Sequence, residues 1–378
     1  MQTVGLFAGI GGLEHGLSRA GHVTLAVSEI WGPACAVLAD RLNVPNLGDV
    51  SRIASLPSEC ELITAGFPCQ DLSQAGFTQG ISGSRSGLVG AVFELLDRQR
   101  VPRVLLENVS FMLRLDGGRA MERIAAAFEE RGYRWAYRVV NSLSFVPQRR
   151  ERVYFLASLL DDPSDVLLVD EVAAPDPGNV GLDGRAHGFY WTEGVRGLGW
   201  GPDCIPTLKN GSTLGIPSPP AILLPDGAII TPDIRDAERL QGFPEEWTLS
   251  TGAGRASWRW SLVGNAVTVP VAEWLGSRLS DPGVYDQSRS SLMSGAWPRA
   301  ARWTGKVREA VSITDRPCHA PRPALHEFLR YPGKPLSVRA TAGFLTRTRR
   351  SSLRFPAGFL DRVQQHLATQ TNGTKLAA

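Results

Sequence analysis

The sequence predicts an α/β fold, a doubly wound and mostly parallel sheet carrying a small irregular insertion. Three observations carry that expectation. Apolar strand-like runs alternate with helical stretches through the first 158 residues. Glycines or single acids stand where those runs end, and the alternation breaks into Gly- and Pro-rich sequence after Ser158 before helical character returns. Such alternation places helices on both faces of a sheet and ligands at the carboxyl ends of its strands.

In chain order, strands are expected at Gln2–Phe7, Val23–Glu29, Glu61–Ala65, Arg103–Glu107, Tyr133–Asn141 and Arg152–Ala157. Helices fill the gaps at Gly12–Ala20, Gly32–Arg41, Leu88–Arg98 and Gly118–Arg131. From 159 to 231, helical periodicity fades into segments such as Gly197-Leu198-Gly199-Trp200-Gly201, which reads as a second domain. Residues 232–280 return to the first domain through helices at Ile234–Gln241 and Val267–Leu279. Residues 281–378 read as a C-terminal extension whose last element is a helix near Ala357–Leu367.

Composition narrows the function classes. The chain has 378 residues, 43% hydrophobic and 20% charged, as expected of a globular protein of two or three domains. It contains no apolar run long enough to span a membrane and opens straight into a strand, so a cytoplasmic protein is expected. Five scattered cysteines without a CxxC pair argue against disulfides, and Cys318-His319 with His326 is too sparse for a metal site. Net charge is +3, but residues 281–378 carry 16 Lys and Arg against 6 Asp and Glu. A basic end on a mildly acidic body fits a polyanionic partner, or else a solvated arginine-rich surface.

Four motifs carry chemistry. Phe7-Ala8-Gly9-Ile10-Gly11-Gly12-Leu13 is a glycine-rich turn between strand and helix, where backbone can approach a ligand. A nicotinamide-binding turn is its rival, though Glu14 replaces the third glycine of that fingerprint. Glu29 ends the second strand, where a carboxylate accepts ribose hydroxyls, and Gly48-Asp49-Val50 is placed to read an adenine edge. Gly66-Phe67-Pro68-Cys69-Gln70 sets a cysteine at the mouth of a strand, ahead of a Ser- and Gly-rich stretch suited to a closing loop. A cysteine of this kind is a nucleophile or buried filler. Glu107 of Leu106-Glu107-Asn108-Val109 ends a neighbouring strand, where an apolar pocket would let it keep a proton and donate to a ring nitrogen. In Gln148-Arg149-Arg150-Glu151-Arg152, alternation turns Gln148, Arg150 and Arg152 to one face, suited to a phosphate or a base carbonyl.

These blocks, followed by Arg235–Phe243 and Gly264-Asn265-Ala266-Val267, stand in the order found in DNA cytosine-5 methyltransferases, which residues 1–280 therefore resemble. The resemblance implies a Rossmann-like fold of the S-adenosylmethionine-dependent type, double-stranded DNA as substrate, no metal, and a monomer. It implies that Phe7, Gly9 and Gly11 line the cofactor pocket, Glu29 holds the ribose, and Asp49 and Val50 the adenine. Cys69 becomes the nucleophile, Glu107 the contact to the N3 and N4 edge of cytosine, and Arg150 and Arg152 the hold on a flipped nucleotide. Pro68, Gln70, Asn108, Gln148 and Thr207 belong to the substrate side, and Asn265 and Val267 return to the cofactor. The insertion becomes a target recognition domain in which Pro206-Thr207-Leu208 resembles a recurrent Thr-Leu pair. Ser28-Glu29-Ile30-Trp31 departs from some members by one place, and the extension exceeds the minimal pattern. The setting would be restriction or phage defence, possible partner proteins included. The alternatives are an RNA cytosine-5 methyltransferase of the same fold, although the Cys-Phe-Thr triplet usual in that branch is missing, and a non-catalytic DNA-binding module.

Overall fold

The computed structural model describes residues 1–67, 87–173, 182, 184–210, 219–251 and 256–376. The opening segment supplies β1 (Gln2–Leu6), β2 (Val23–Ser28), β3 (Leu62–Ala65), β4 (Arg103–Val109) and β5 (Arg134–Asn141). The two-residue β6 (Gln148–Arg149) precedes β7 (Glu151–Ser158). Five short strands follow: β8 (His187–Phe189), β9 (Gly201–Pro202), β10 (Ile205–Pro206), β11 (Ala221–Leu223) and β12 (Ile229–Thr231). Beyond residue 280 come β13 (Ser290–Leu292), β14 (Ala300–Trp303), β15 (Arg308–Val311) and β16 (Lys334–Pro335).

The chain divides into two units. The first comprises Met1–Ser144, Glu151–Ala173 and Ala266–His319; the second comprises Phe145–Arg150, Ala174–Asn265 and Ala320–Ala378. These cuts fall elsewhere than the sequence expected. Residues 232–265 group with the second unit, and the C-terminal extension is shared between both.

The first unit is built on a nine-stranded sheet in the order β13-β15-β14-β5-β7-β4-β3-β1-β2. β1 pairs in parallel with β2 and β3, and β3 with β4. β7 joins antiparallel to both β4 and β5, and β14 antiparallel to β5. The sheet is therefore mixed rather than mostly parallel. Alternation of apolar residues does not encode strand direction, and the link from β5 to β7 is too short to hold a crossover helix. Val4, Leu6, Ile63, Val104 and Leu106 are each at most 1% exposed, so alternate residues of three strands feed one face of the core. Phe128, Trp135 and Phe155 stack nearby, with ring centroids 5.3 and 5.4 Å apart.

Helices fall close to their expected places, at Gly12–Arg19, Gly32–Arg41, Leu88–Arg98, Arg119–Glu130 and Val269–Ser280. The first and last of these cross at glycines. A Cβ on Gly16 would stand 2.4 Å from Ala272 Cβ and 2.5 Å from the Val269 carbonyl oxygen, and one on Gly276 would stand 2.7 Å from Ala20 Cβ. The crossing ties the Val269–Ser280 helix to the helix that follows the opening strand.

β14 and β15 are hidden in the sequence because charged residues interrupt their apolar pattern, and β13 is a three-residue Ser-Ser-Leu strand with no such pattern to show. Those charges are neutralised in place: Arg302 meets Asp162 at 2.9 Å, and Arg308 meets Glu122 at 2.6 Å and Glu129 at 2.7 Å.

The second unit holds an antiparallel sheet in the order β16-β12-β11-β8-β9 and a parallel pair of β6 with β10. Helices Ile234–Leu240, Ala256–Asn265, Val338–Thr348 and Phe359–Leu376 complete it. Phe189, Phe344 and Phe359 are fully buried together. Among the described residues no helix is long and apolar enough to cross a membrane.

Gly16→Ala should destabilise the protein by roughly 1–3 kcal/mol through overpacking at the helix crossing. Urea unfolding measures this, and an unchanged midpoint would contradict the packing described.

Candidate active site

Four neighbouring strands of the first unit, β4, β3, β1 and β2, end side by side, and each end carries a distinctive residue. At the end of β1, Phe7 adopts φ 54°, Gly9 φ 57° and Gly11 φ 81°. A non-glycine residue rarely takes the left-handed region, so the strain at Phe7 marks a turn whose shape is held by its surroundings. The helix from Gly12 to Arg19 follows with no side chain capping its first N–H groups, and no atom lies within 4 Å of a Cβ built on Gly9.

Glu29, at the end of β2, anchors this turn. Its Oε2 accepts from Gly9 N at 2.9 Å, and its Oε1 accepts from Ile30 N and Trp31 N, both at 2.8 Å. Ile30 and Trp31 are 71% and 38% exposed beside it, an apolar wall next to an acid. Trp31, two residues after a strand-end acid, is the signal in the sequence for this wall. Asp49 caps the turn at Val50–Arg52 by accepting from Ser51 N at 2.9 Å and Ser51 Oγ at 2.8 Å, and these bonds hold its carboxyl below the usual range. Val50 is 3% exposed. Glycine-lined backbone, an uncapped helix start, a fixed acid and an apolar wall together suit a nucleoside carrying an amino-acid tail.

The ends of β3 and β4 meet through parallel register, Ala65 opposite Leu106. The next residues therefore adjoin. Asn108 Nδ2 donates to the Phe67 carbonyl at 3.0 Å, and Asn108 Oδ1 accepts from Val109 N at 2.8 Å. A Cβ on Gly66 would stand 3.5 Å from Glu107 Oε2 and 4.0 Å from the Phe7 carbonyl oxygen. Glu107 is 8% exposed, and Arg152 Nε lies 3.1 Å from its Oε1. The expected apolar setting of Glu107 is thus corrected: a guanidinium forms part of it, because β7 runs antiparallel to β4 and brings Arg152 opposite Val109. Pro68, Cys69 and Gln70 lie outside the described residues.

Gln148 and Arg150 belong to the second unit, whereas Arg152 belongs to the first. Gln148 and Arg150 are both buried. Gln148 Nε2 donates to the Leu240 carbonyl at 2.9 Å and to Gln241 Oε1 at 3.1 Å, and its Oε1 accepts from Leu208 N at 2.8 Å. Arg150 Nη1 donates to the carbonyls of Leu208 at 3.0 Å and Gly264 at 3.3 Å. Both reach Leu208, Gln148 at its amide and Arg150 at its carbonyl, backbone groups that need satisfying once buried. Thr207 Oγ1 donates to the Arg149 carbonyl at 2.8 Å, and its own carbonyl accepts from Tyr190 Oη at 2.8 Å. Asn265 is exposed at the end of its helix, and Val267 is 8% exposed in the first unit.

Three acids, Glu14, Asp236 and Glu238, are buried and hydrogen-bonded. Asp236 accepts from Arg330 N and Tyr331 N, each at 3.0 Å, and Glu238 accepts from Thr248 N and Arg259 Nη2, each at 2.9 Å. Glu14 sits beneath the glycine-rich turn, receiving Thr64 Oγ1 at 3.0 Å, and its carboxylate occupies the space a side chain at Gly5 would need. Among the described residues no cluster of His, Cys, Asp or Glu is arranged to hold a metal.

Burial drives the Glu14 carboxyl up to about 7, against hydrogen bonds from its own backbone and from Thr64. An unfolded chain releases that proton near 4.5. The stability gained by keeping it is therefore fully present below about 4.5 and is lost as pH rises through about 7. Relative to Glu14→Gln, the native chain should lose on the order of 3 kcal/mol across that window. Urea unfolding of both proteins at a series of pH values checks this; parallel stability curves would refute it.

Comparison with known proteins gives the geometry its family. A model described as C-5 cytosine-specific DNA methylase matches residues 1–177. The Type II methyltransferase M2.BsuMI of Bacillus subtilis (strain 168) is 46% identical over 372 residues, covering 93% of this chain and 94% of that protein. M.BanI of Aneurinibacillus aneurinilyticus is 38% identical over 183 residues, 47% of this chain and 42% of its own. Among solved structures, the S. pombe Dnmt2 methyltransferase shares the fold with a TM-score of 0.54 at 19% identity, covering 74% of this chain and 98% of that one. With near-complete coverage at that level of identity, the chain belongs to the C-5 cytosine-specific DNA methylases and is a DNA cytosine-5 methyltransferase that draws its methyl group from S-adenosylmethionine.

Proposed function

We propose that Cys69 is the nucleophile, that Glu107 and Arg152 act together on the target cytosine, and that the second unit reads the DNA sequence. The observation that carries this reading is the Glu107–Arg152 contact at 3.1 Å, beside the segment that leads into Cys69.

The chemistry requires such an arrangement. Carbon 5 of cytosine is a weak nucleophile. Addition of the Cys69 thiolate to carbon 6 forms an S–C bond and moves a π pair toward carbon 5 and N3. Glu107 answers the charge building at N3 with a proton or a strong hydrogen bond, and Arg152 orients Glu107 while offering N–H groups to the base O2. Bound S-adenosylmethionine supplies an electrophilic sulfonium methyl for carbon 5. Loss of the carbon 5 proton and expulsion of the Cys69 thiolate then restore the aromatic ring. Asn108 holds the Phe67 carbonyl, and through it fixes where the chain enters Pro68-Cys69-Gln70.

Phe7, Gly9 and Gly11 provide the backbone cradle for the cofactor; Glu29 accepts its ribose hydroxyls, Asp49 and Val50 meet its adenine, and Trp31 offers an aromatic face. Gln148 and Arg150 are positioning residues that brace Leu208, next to Thr207 on the reading side. The base must leave the duplex, at a cost of a few kcal/mol. The relatives are named Type II methyltransferases, which supports a restriction-modification setting with a nuclease that shares the target. The enzyme acts as a monomer in the cytoplasm.

Labelled methyl transfer to DNA and RNA, with the products sequenced, tests this directly. Cys69→Ala should abolish transfer to DNA, and Arg152→Gln should lower kcat by roughly a hundredfold with little change in cofactor KM. Transfer to RNA alone, or an active Cys69→Ala protein, would overturn the assignment.

A further inference from the structure

We infer that the C-terminal segment from Ala320 onward supplies the phosphate-binding face of the second unit, centred on Arg196, Arg349, Arg350 and Arg354. The inference rests on reading that unit as the DNA-recognition unit.

This segment is built into the unit rather than appended to it. β16 pairs with β12, Lys334 opposite Thr231. Phe344, Phe359 and Val363 are fully buried against Phe189. The backbone N–H groups of Arg330 and Tyr331 cap the buried Asp236. The Val338–Thr348 helix also clamps a loop of the insertion. Arg347 Nε donates to the Glu193 carbonyl at 2.9 Å and Arg347 Nη2 to the Trp191 carbonyl at 2.7 Å, while Ser351 Oγ donates to the Val195 carbonyl at 3.1 Å. The same loop is tied to the reading side, because Tyr190 Oη bonds the Thr207 carbonyl and Lys209 Nζ bonds Glu193 at 2.8 Å.

The Ser351–Val195 bond brings two basic runs together. Val195 precedes the exposed Arg196, and Ser351 follows the exposed Arg349 and Arg350, with exposed Arg354 just beyond. Arg339, also exposed, opens the helix whose far end leads into Arg349 and Arg350. Among the described residues none of these five arginines forms an ion pair with an acid.

Charge separates this surface from the rest of the protein. Residues 320–378 hold 10 Lys and Arg against 2 Asp and Glu, whereas the other long segment of that unit, 174–265, holds 7 against 10. The arginines earlier in the extension are spent on acids: Arg289 on Glu171, Arg299 on Glu151 and Asp315, Arg302 on Asp162, and Arg308 on Glu122 and Glu129. Residues 174–265 alone carry a net negative charge that would repel a polyanion; the exposed arginines of the C-terminal segment reverse the sign at the loop it clamps. Clustered guanidinium groups without acid partners suit duplex phosphates, which they contact without reading sequence.

The test uses the full-length protein with Arg349, Arg350 and Arg354 all changed to Gln, leaving the clamping Arg347 intact. Binding of a methylatable duplex is measured across a salt series. The logarithmic salt slope should fall by roughly 0.9 for each lost phosphate contact, and KM for DNA should rise about tenfold or more near physiological salt. The methylated sequence and kcat at saturating DNA should stay unchanged. The matching triple Lys variant should restore the slope, as a charge contact requires and a packing role would not. An unchanged slope in a folded Gln variant overturns the inference. Separately, replacing residues 184–231 with those of another methyltransferase tests the recognition reading; an unaltered target sequence would sink that reading while leaving the phosphate measurement interpretable.

Discussion

The parallel pairing of β3 with β4 is the constraint on which the first unit's chemistry depends. It runs from Leu62 opposite Arg103 to Ala65 opposite Leu106. Both strands are buried in the middle of the sheet, so slipping by one residue would turn Ile63 and Ala65 away from the core. That register makes Gly66 and Phe67 neighbours of Glu107 and Asn108. One further pairing, antiparallel β7 on β4, delivers Arg152 to Glu107. A mixed sheet thus does what an all-parallel one would not: it returns a strand against β4 with a basic residue at the end where ligands gather.

Much of this was legible in the sequence. The apolar runs of β1 to β5 and β7 are short and bounded by glycine, proline or charge, and the strand-end residues Phe7, Glu29 and Glu107 stand out because each follows such a run. Direction was not legible, since residue alternation is the same for parallel and antiparallel strands. Nor were the fates of Gln148 and Arg150. Their chemistry suits a ligand, but their partners include Leu208, Leu240, Gln241 and Gly264, 58 or more residues away, which no local pattern announces.

The extension shows the same difficulty more sharply. Net charge described its 98 residues as one basic tail. Folding separates them: Arg289, Arg299, Arg302 and Arg308 complete ion pairs within the first unit, whereas beyond His319 Arg322 and Arg330 pair with Asp203 and Glu245 while Arg339, Arg349, Arg350 and Arg354 stay exposed on the second. Ion pairs among distant residues erase charge that composition counts, so the distribution of free charge becomes visible only with the fold. Phe344 and Phe359, buried with Phe189, show that the second unit needs both the insertion and the chain end to close its core.

Covalent capture bears most directly on the proposed mechanism. A duplex carrying 5-fluorocytosine in place of cytosine blocks the last step, because fluorine cannot leave carbon 5 as a proton does. Incubated with S-adenosylmethionine, the enzyme should form a denaturant-resistant complex whose peptide map places the methylated base on Cys69. Turnover on ordinary DNA without any such complex, or an adduct on a different residue, would contradict the account.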